Sequence, residues 1–260
     1  MKMILFKSVK SLIAVAIWTL SFSAVQEVAA QVVVSKNILL VHGAFADGSG
    51  YKSIYEILSK KGYNVRIAQL PLTGLADDVA AVQRVLDKLE GPVVLVGHSW
   101  SGVVISEAGI DPKVVSLVFI AAFLPDVGES AATWASTYPP APENGIIGPD
   151  KQGYLWYDKA KYHAGFAADV SQKESDFMEA SQVPIIASSF GTVLSNAAWK
   201  TKPSFAVVTL QDKNIHPDLQ RKMYKRANSK IIEIQSSHVV YMSHAPEVSN
   251  LIIEASKVKK

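Results

Sequence analysis

The sequence predicts an α/β fold built on a doubly wound, mostly parallel sheet, and three observations carry that reading. Short apolar runs at residues 37–41, 93–96, 114–123 and 205–210 are rich in Val, Ile and Leu without alternation, as strands buried on both faces require. Between them lie stretches of helical periodicity, long enough for right-handed crossovers. With 260 residues, 49% of them hydrophobic, the chain can bury one substantial core.

The first thirty residues stand apart. Lys2, Lys7 and Lys10 precede a largely apolar run at 11–25, and Val28, Ala29 and Ala30 supply small residues before Gln31, the pattern of a secretory signal over residues 1–30. That run includes Ser21 and Ser23 and is shorter than the about 20 apolar residues that span a bilayer, so cleavage and export to a periplasmic or extracellular space are expected, with no membrane attachment afterwards. The chain has no cysteine, which removes disulfides, thiol-linked lipid anchors and cysteine-based zinc or redox chemistry. Loss of Lys2, Lys7, Lys10 and Glu27 with the signal takes the formal charge from +3 to +1, too little to attract polyanions, so nucleic acid is not an expected partner. Arg221, Lys222, Lys225 and Arg226 have the spacing of one helix face and read as a solvated face.

Residues 37–41 form the first strand, closed by His42 and Gly43 and followed by a loop with Gly48 and Gly50. Tyr51, Ile54, Tyr55 and Leu58 then fall at i, i+3, i+4 and i+7 of a helix that Gly62 ends. After a strand at 64–70, Asp77 and Asp78 open a second helix, their charge suiting a first turn, with Val79, Val82, Leu86 and Leu89 on one face. Gly91 and Pro92 lead into the strand at 93–96, a helix follows at 103–110, and Asp111-Pro112 stops it before the strand at 114–123. The pattern resumes late in the chain with a strand at 205–210, a helix at 218–227, a strand at 230–235 and a helix from Pro246 to about 255.

Residues 124–203 break the alternation. They contain Pro125, Pro139, Pro140, Pro142, Pro149 and Pro184 and are crowded with aromatics, among them Trp134, Trp156 and Trp199. Such a stretch is far too long for a loop in a compact domain. It reads as a mainly helical cap inserted over a core of residues 31–123 and 204–260, its aromatics shaping a pocket. The other reading is core packing whose period is not legible.

Gly97-His98-Ser99-Trp100-Ser101 has the Gly-x-Ser-x-small pattern of a nucleophile elbow, a strand-to-helix turn tight enough to expose a hydroxyl. Ser99 is the candidate nucleophile, because a frame centred on Ser101 would put the β-branched Val103 where it clashes. A serine hydroxyl needs a base, and the base an orienting group. His238, beyond the strand at 230–235, lies on the same sheet edge, with His244 the other candidate. For the acid, Asp212 directly follows the strand at 205–210, and Asp126, after the strand at 114–123, is its rival. Charge developing on a substrate oxygen needs preorganised donors. The backbone N–H of Trp100 is one, and the loop at 42–45 supplies the other, assigned to Ala44 ahead of Phe45. His42 is expected to hold that loop by hydrogen bonding.

Leu39-Leu40-Val41-His42-Gly43-Ala44, Val96-Gly97-His98-Ser99-Trp100-Ser101-Gly102, Ala121-Ala122-Phe123-Leu124-Pro125-Asp126 and the loops of Asp212 and His238 together resemble the α/β-hydrolase superfamily. More narrowly, the chain is similar to bacterial esterase-like hydrolases related to plant methylesterases and hydroxynitrile lyases, from about residue 37 to the C-terminus. Ser101 departs from the glycine usual at its position. The resemblance implies an enzyme that needs no cofactor and no metal: a carboxylesterase-like serine hydrolase that opens a small or medium, largely apolar ester through an acyl-enzyme. Hydroxynitrile-lyase chemistry is the alternative on this fold, but those lyases carry a lysine after the catalytic histidine and a threonine in the oxyanion loop, where this sequence has Val239 and Gly43. A non-catalytic protein that binds small ligands on a hydrolase scaffold is the third reading. No Gly-x-Gly-x-x-Gly follows the first strand, which sets aside a dinucleotide-binding protein.

Overall fold

A computed structural model of the chain describes residues 32–259, so the signal expected over residues 1–30 lies outside the described residues. The chain enters through β1 (Val32–Val34) and then builds β2 (Asn37–Val41), α1 (Lys52–Lys60), β3 (Asn64–Ala68), α2 (Leu75–Leu86), β4 (Val93–His98), α3 (Ser101–Ala108) and β5 (Val114–Ile120). After a long insertion it returns with β9 (Ser204–Thr209), α7 (Pro217–Arg226), β10 (Lys230–Ile234), α8 (Val240–Ser243), α9 (Ala245–Ala255) and β11 (Lys257–Lys259). The main sheet has six strands in the order β10-β9-β5-β4-β2-β3, and each pairing in it is parallel. β1 and β11 form a separate antiparallel pair.

The unbroken apolar runs are explained by this arrangement. Ile38 to Val41, Val93 to Val96 and Leu117 to Ile120 are fully buried, because helices cover both faces of the sheet. α1 packs with α9 on one face, and α2 with α3 on the other. The winding reverses between β2 and β4, so the loops after these two strands flank the crevice at their carboxyl ends.

Residues 124–203 contain α4 (Ala131–Ala135), α5 (Lys159–Phe166) and α6 (Gln172–Ala180), together with a three-stranded antiparallel sheet of β6 (Ile146–Ile147), β7 (Tyr154–Tyr157) and β8 (Ile185–Ile186). Strands of two to four residues are too short to show alternation, so the small sheet escapes a sequence reading. Because β5 and β9 are parallel neighbours, the segment must also carry the chain back from the carboxyl end of β5 to the amino end of β9. Its last stretch does this along α3, where the carboxylate of Glu107 accepts from the backbone and side-chain nitrogens of Asn196 at 3.1 and 2.9 Å.

On the basic face of α7, Lys222, Lys225 and Arg226 are exposed, as the spacing predicts, and the two arginines also make contacts. Arg226 pairs with Glu129 at 2.7 Å, donates to the carbonyl of Leu124, and lies over the rings of Trp134 and Trp199 at 4.6 and 5.2 Å. Arg221 spans Asp218 and Glu233. The arginine that periodicity assigned to solvent therefore fastens the start of the insertion to the core.

Candidate active site

Ser99 sits on the turn between β4 and α3 with φ 54°, a left-handed backbone uncommon for a residue with a side chain. Its N–H donates to Ile120 O at 3.1 Å, and its carbonyl accepts from Gly102 and Phe123. The small residues around it are required by close approach. A Cβ on Gly97 would lie 2.8 Å from the carbonyl oxygen of Ser101, and one on Gly102 only 2.0 Å from that of Phe123. Ser101 fits where glycine is usual because its Oγ reaches Val41 O at 2.7 Å and His98 O at 2.8 Å, joining the elbow to the end of β2.

His238 stands beyond β10, and its Nε2 lies 2.8 Å from Ser99 Oγ. Its Nδ1 lies 2.7 Å from Asp212 Oδ2. A carboxylate only accepts, so Nδ1 carries the proton and Nε2 accepts from the serine hydroxyl. All three side chains are buried, Ser99 at 9% exposure being the most open. Asp212 is held beside His238 because backbone pairing continues past the strand ends, from Leu210 to Ile234 O and from Gln211 to Ser236 O. The N–H groups of Asn214 and Ile215 donate to its Oδ1, and Thr209 Oγ1 and Gln220 Nε2 donate to its Oδ2. These four donors hold the side chain in place.

The loop after β2 lies against Ser99, for a Cβ on Gly43 would meet Ser99 Cβ at 2.8 Å. His42 Nδ1–H donates to Gly43 O at 2.9 Å, and its Nε2 accepts from Leu70 N at 2.9 Å. Burial lowers its pKa against the pull of the Gly43 carbonyl, which keeps this imidazole neutral. The N–H of Phe45 is already given to Val183 O at 3.0 Å, so the Phe45 alternative is excluded as a free donor. Among the described residues the N–H groups of Ala44 and Trp100 have no protein acceptor.

The other candidates fall elsewhere. Asp126 pairs with Lys200 at 2.9 Å at the entry of the insertion. His244 lies at the start of α9, 3.7 Å from Glu247. Above the site, Phe45, Tyr157, Tyr162 and Phe166 form an aromatic cluster, and the Phe166 ring packs edge-on at 5.0 Å from His238. Tyr162 donates to Phe45 O at 2.6 Å, so the insertion holds both backbone groups of Phe45. A cavity of about 420 Å³ beside the loop of Asp212 is lined by Phe123, Tyr138, Pro140, Asn144, Asn214 and His216, with the Tyr138 and His216 rings stacked at 4.6 Å. Among the described residues no group of three or more His, Asp or Glu side chains has the spacing of a metal site.

Three residues at the site have no motif to announce them. Asp169, in the insertion, accepts from Ser236 Oγ, from the N–H and hydroxyl of Ser237 and from Ser243 Oγ, which pins the loop carrying His238. Gln220 braces Asp212. Asp78 accepts from the indole of Trp100. The sequence reads Asp78 as an acid suiting the first turn of α2, whereas it lies buried on the same stripe as Val82.

Comparison with known proteins agrees with this fold. The chain is 26% identical over 250 residues to the alpha/beta hydrolase nvfD of Aspergillus novofumigatus, covering 84% of this chain and 96% of that protein. It is 29% identical over 178 residues to a carbendazim hydrolyzing esterase of a Nocardioides species, covering 63% of this chain and 65% of the relative. The fold superposes on a pyrethroid hydrolase of Sphingobium faniae with a TM-score of 0.73 at 24% identity, covering 85% and 96% of the two chains. The model of the Alpha/beta hydrolase family matches residues 38–251, from β2 into α9, and the chain belongs to that family.

Proposed function

We propose that the protein hydrolyses carboxylic esters of small or medium, largely apolar acids and alcohols, with Ser99 as nucleophile. The observation that carries this reading is the continuous line from Ser99 Oγ through His238 to Asp212, at 2.8 and 2.7 Å, on three loops at the carboxyl ends of parallel strands. Ser99 Oγ attacks the ester carbonyl while His238 Nε2 takes its proton, and the new oxyanion is met by the N–H groups of Ala44 and Trp100. His238 returns the proton to the departing alkoxide, leaving an acyl-enzyme. Water, deprotonated by His238, adds to the acyl carbon, and Ser99 leaves with that proton. Asp212 keeps Nδ1 protonated and stabilises the imidazolium. Residues 124–203, apart from their return leg along α3, act as a cap whose aromatics exclude water. The relatives named as a carbendazim hydrolyzing esterase and a pyrethroid hydrolase support ester cleavage without fixing the substrate.

The test is turnover of p-nitrophenyl acetate and butyrate by the wild type and by Ser99→Ala. Burst release of p-nitrophenol in the wild type and its loss in the variant are expected; full turnover by Ser99→Ala would end this reading. Cleavage of mandelonitrile dependent on Ser99 would instead favour the lyase. We further propose export, on Lys2, Lys7, Lys10 and the apolar run that follows; cell fractionation with N-terminal sequencing of the mature chain tests it.

A further inference from the structure

The carboxylate of Asp78 is fully buried, and no step of the proposed hydrolysis uses it. Its Oδ2 accepts the indole N–H of Trp100 at 2.8 Å, and its Oδ1 accepts the backbone N–H of Leu72 at 2.8 Å. Leu72 has a left-handed backbone, φ 57°, and its carbonyl accepts from Ile186 in β8. One carboxylate therefore connects α2, the loop after β3 and the elbow, and through Leu72 it reaches the insertion. Trp100 is itself fully buried, its carbonyl accepts from Val103, its ring packs on Phe190, and the bond to Asp78 is the hydrogen bond its side chain makes.

We propose that Asp78 is a positioning residue for the oxyanion donor: by gripping the indole of Trp100 it fixes the peptide between Ser99 and Trp100, whose N–H must point at the developing charge. This inference rests on the hydrolase reading above. Two donors converge on Asp78, so the ionised carboxylate suits the place. An amide of the same shape would turn its own N–H groups toward one of those donors. Donor geometry matters most when charge is greatest, in the transition state, so the effect belongs in kcat rather than in KM.

The experiment compares Ser99→Ala, Asp78→Asn, Trp100→Phe and the Asp78→Asn/Trp100→Phe double variant on p-nitrophenyl butyrate, with inhibition by butylboronic acid as a tetrahedral mimic and thermal melting as a check of folding. Asp78→Asn and Trp100→Phe should each lower kcat by about ten- to a hundredfold, with KM changed less than about twofold and boronate affinity reduced in parallel. The double variant should be no worse than the poorer single one, because both remove the same link. Trp100→Phe removes the indole N–H together with part of a buried ring, so its melting curve is read beside its kcat, and it carries the test if Asp78→Asn does not fold. A folded variant with unchanged kcat, a loss confined to KM, or independent multiplicative effects would overturn the positioning role while leaving Ser99 as nucleophile. Activity surviving in Ser99→Ala would overturn both.

Discussion

The Nε2–H of His98 donates to the backbone carbonyl of His238 at 3.0 Å, and the two rings lie 4.6 Å apart. The residue just before Ser99 thereby holds the main chain of His238. Burial, reinforced by His238, pushes the His98 imidazole well below its usual range, so it remains neutral and keeps its proton on Nε2. His98→Phe preserves a ring but strands a buried carbonyl. It should cost about 1–3 kcal/mol in urea unfolding and slow turnover. Unchanged stability would show that this bond does not hold the base.

Ser101 makes a separate prediction. Its hydroxyl reaches both Val41 O and His98 O, whereas alanine at the same place keeps the Cβ and loses the link. Ser101→Ala should lower stability by about 1 kcal/mol, a fall in Tm of about 2–4 °C for a chain of this size. A melting curve indistinguishable from wild type would refute the tie.

Acidification should act on Asp78 in two opposite directions. Burial pushes its carboxyl up to about 6 against the hydrogen bonds from Trp100 and Leu72, with Asp77 of the same helix as its charged neighbour; the partners it meets on the facing elements are neutral. A carboxyl raised in the folded state binds its proton more readily folded than unfolded. Its contribution to stability is therefore present in full below the ordinary carboxylate pKa and is lost as pH rises through about 6. Activity should fall below about pH 6 as Asp78 protonates, while its protonation favours the fold. Asp78→Asn should remove its part of both effects, measured by kcat–pH profiles and by chemical denaturation across pH 4–7.

Asp169 has the reverse sign. Burial works to raise its carboxyl, but the hydroxyls of Ser236, Ser237 and Ser243 outweigh it and hold the group below the usual carboxylate range. Its stabilisation is present above the ordinary value and disappears as pH drops through the lowered one. Asp169→Ala should loosen the loop of His238, reducing kcat severalfold and raising amide exchange at Ser236 and Ser237. Exchange equal to wild type would separate this contact from the base.

The sheet and the elbow were legible because each depends on local chemistry. Unbroken apolar runs announce strands buried on both faces, and Gly97 and Gly102 announce backbone contacts too close for a Cβ. Asp212 and His238 could be placed because strand ends put them on one edge. Asp169 could not, since its serine partners lie some seventy residues away and nothing in its own neighbourhood marks it. The basic face of α7 is exposed as its spacing suggests, but spacing does not show that Arg226 on that face also pairs with Glu129 and lies over Trp134 and Trp199. Ala44 is preferred to Phe45 from the sequence, and the physical reason lies in a distant partner, the carbonyl of Val183 that takes the Phe45 N–H.

The antiparallel pairing of β1 with β11 sets Val32 opposite Lys259. A short glycine-serine linker there would close residues 32–259 into a ring, and new ends could be cut at the exposed turn of Lys151 and Gln152 between β6 and β7. Such a circular permutant would keep the six-stranded sheet continuous while turning the inserted segment into two free arms. The roof over Ser99 could then be loosened without a single substitution among the groups that touch it.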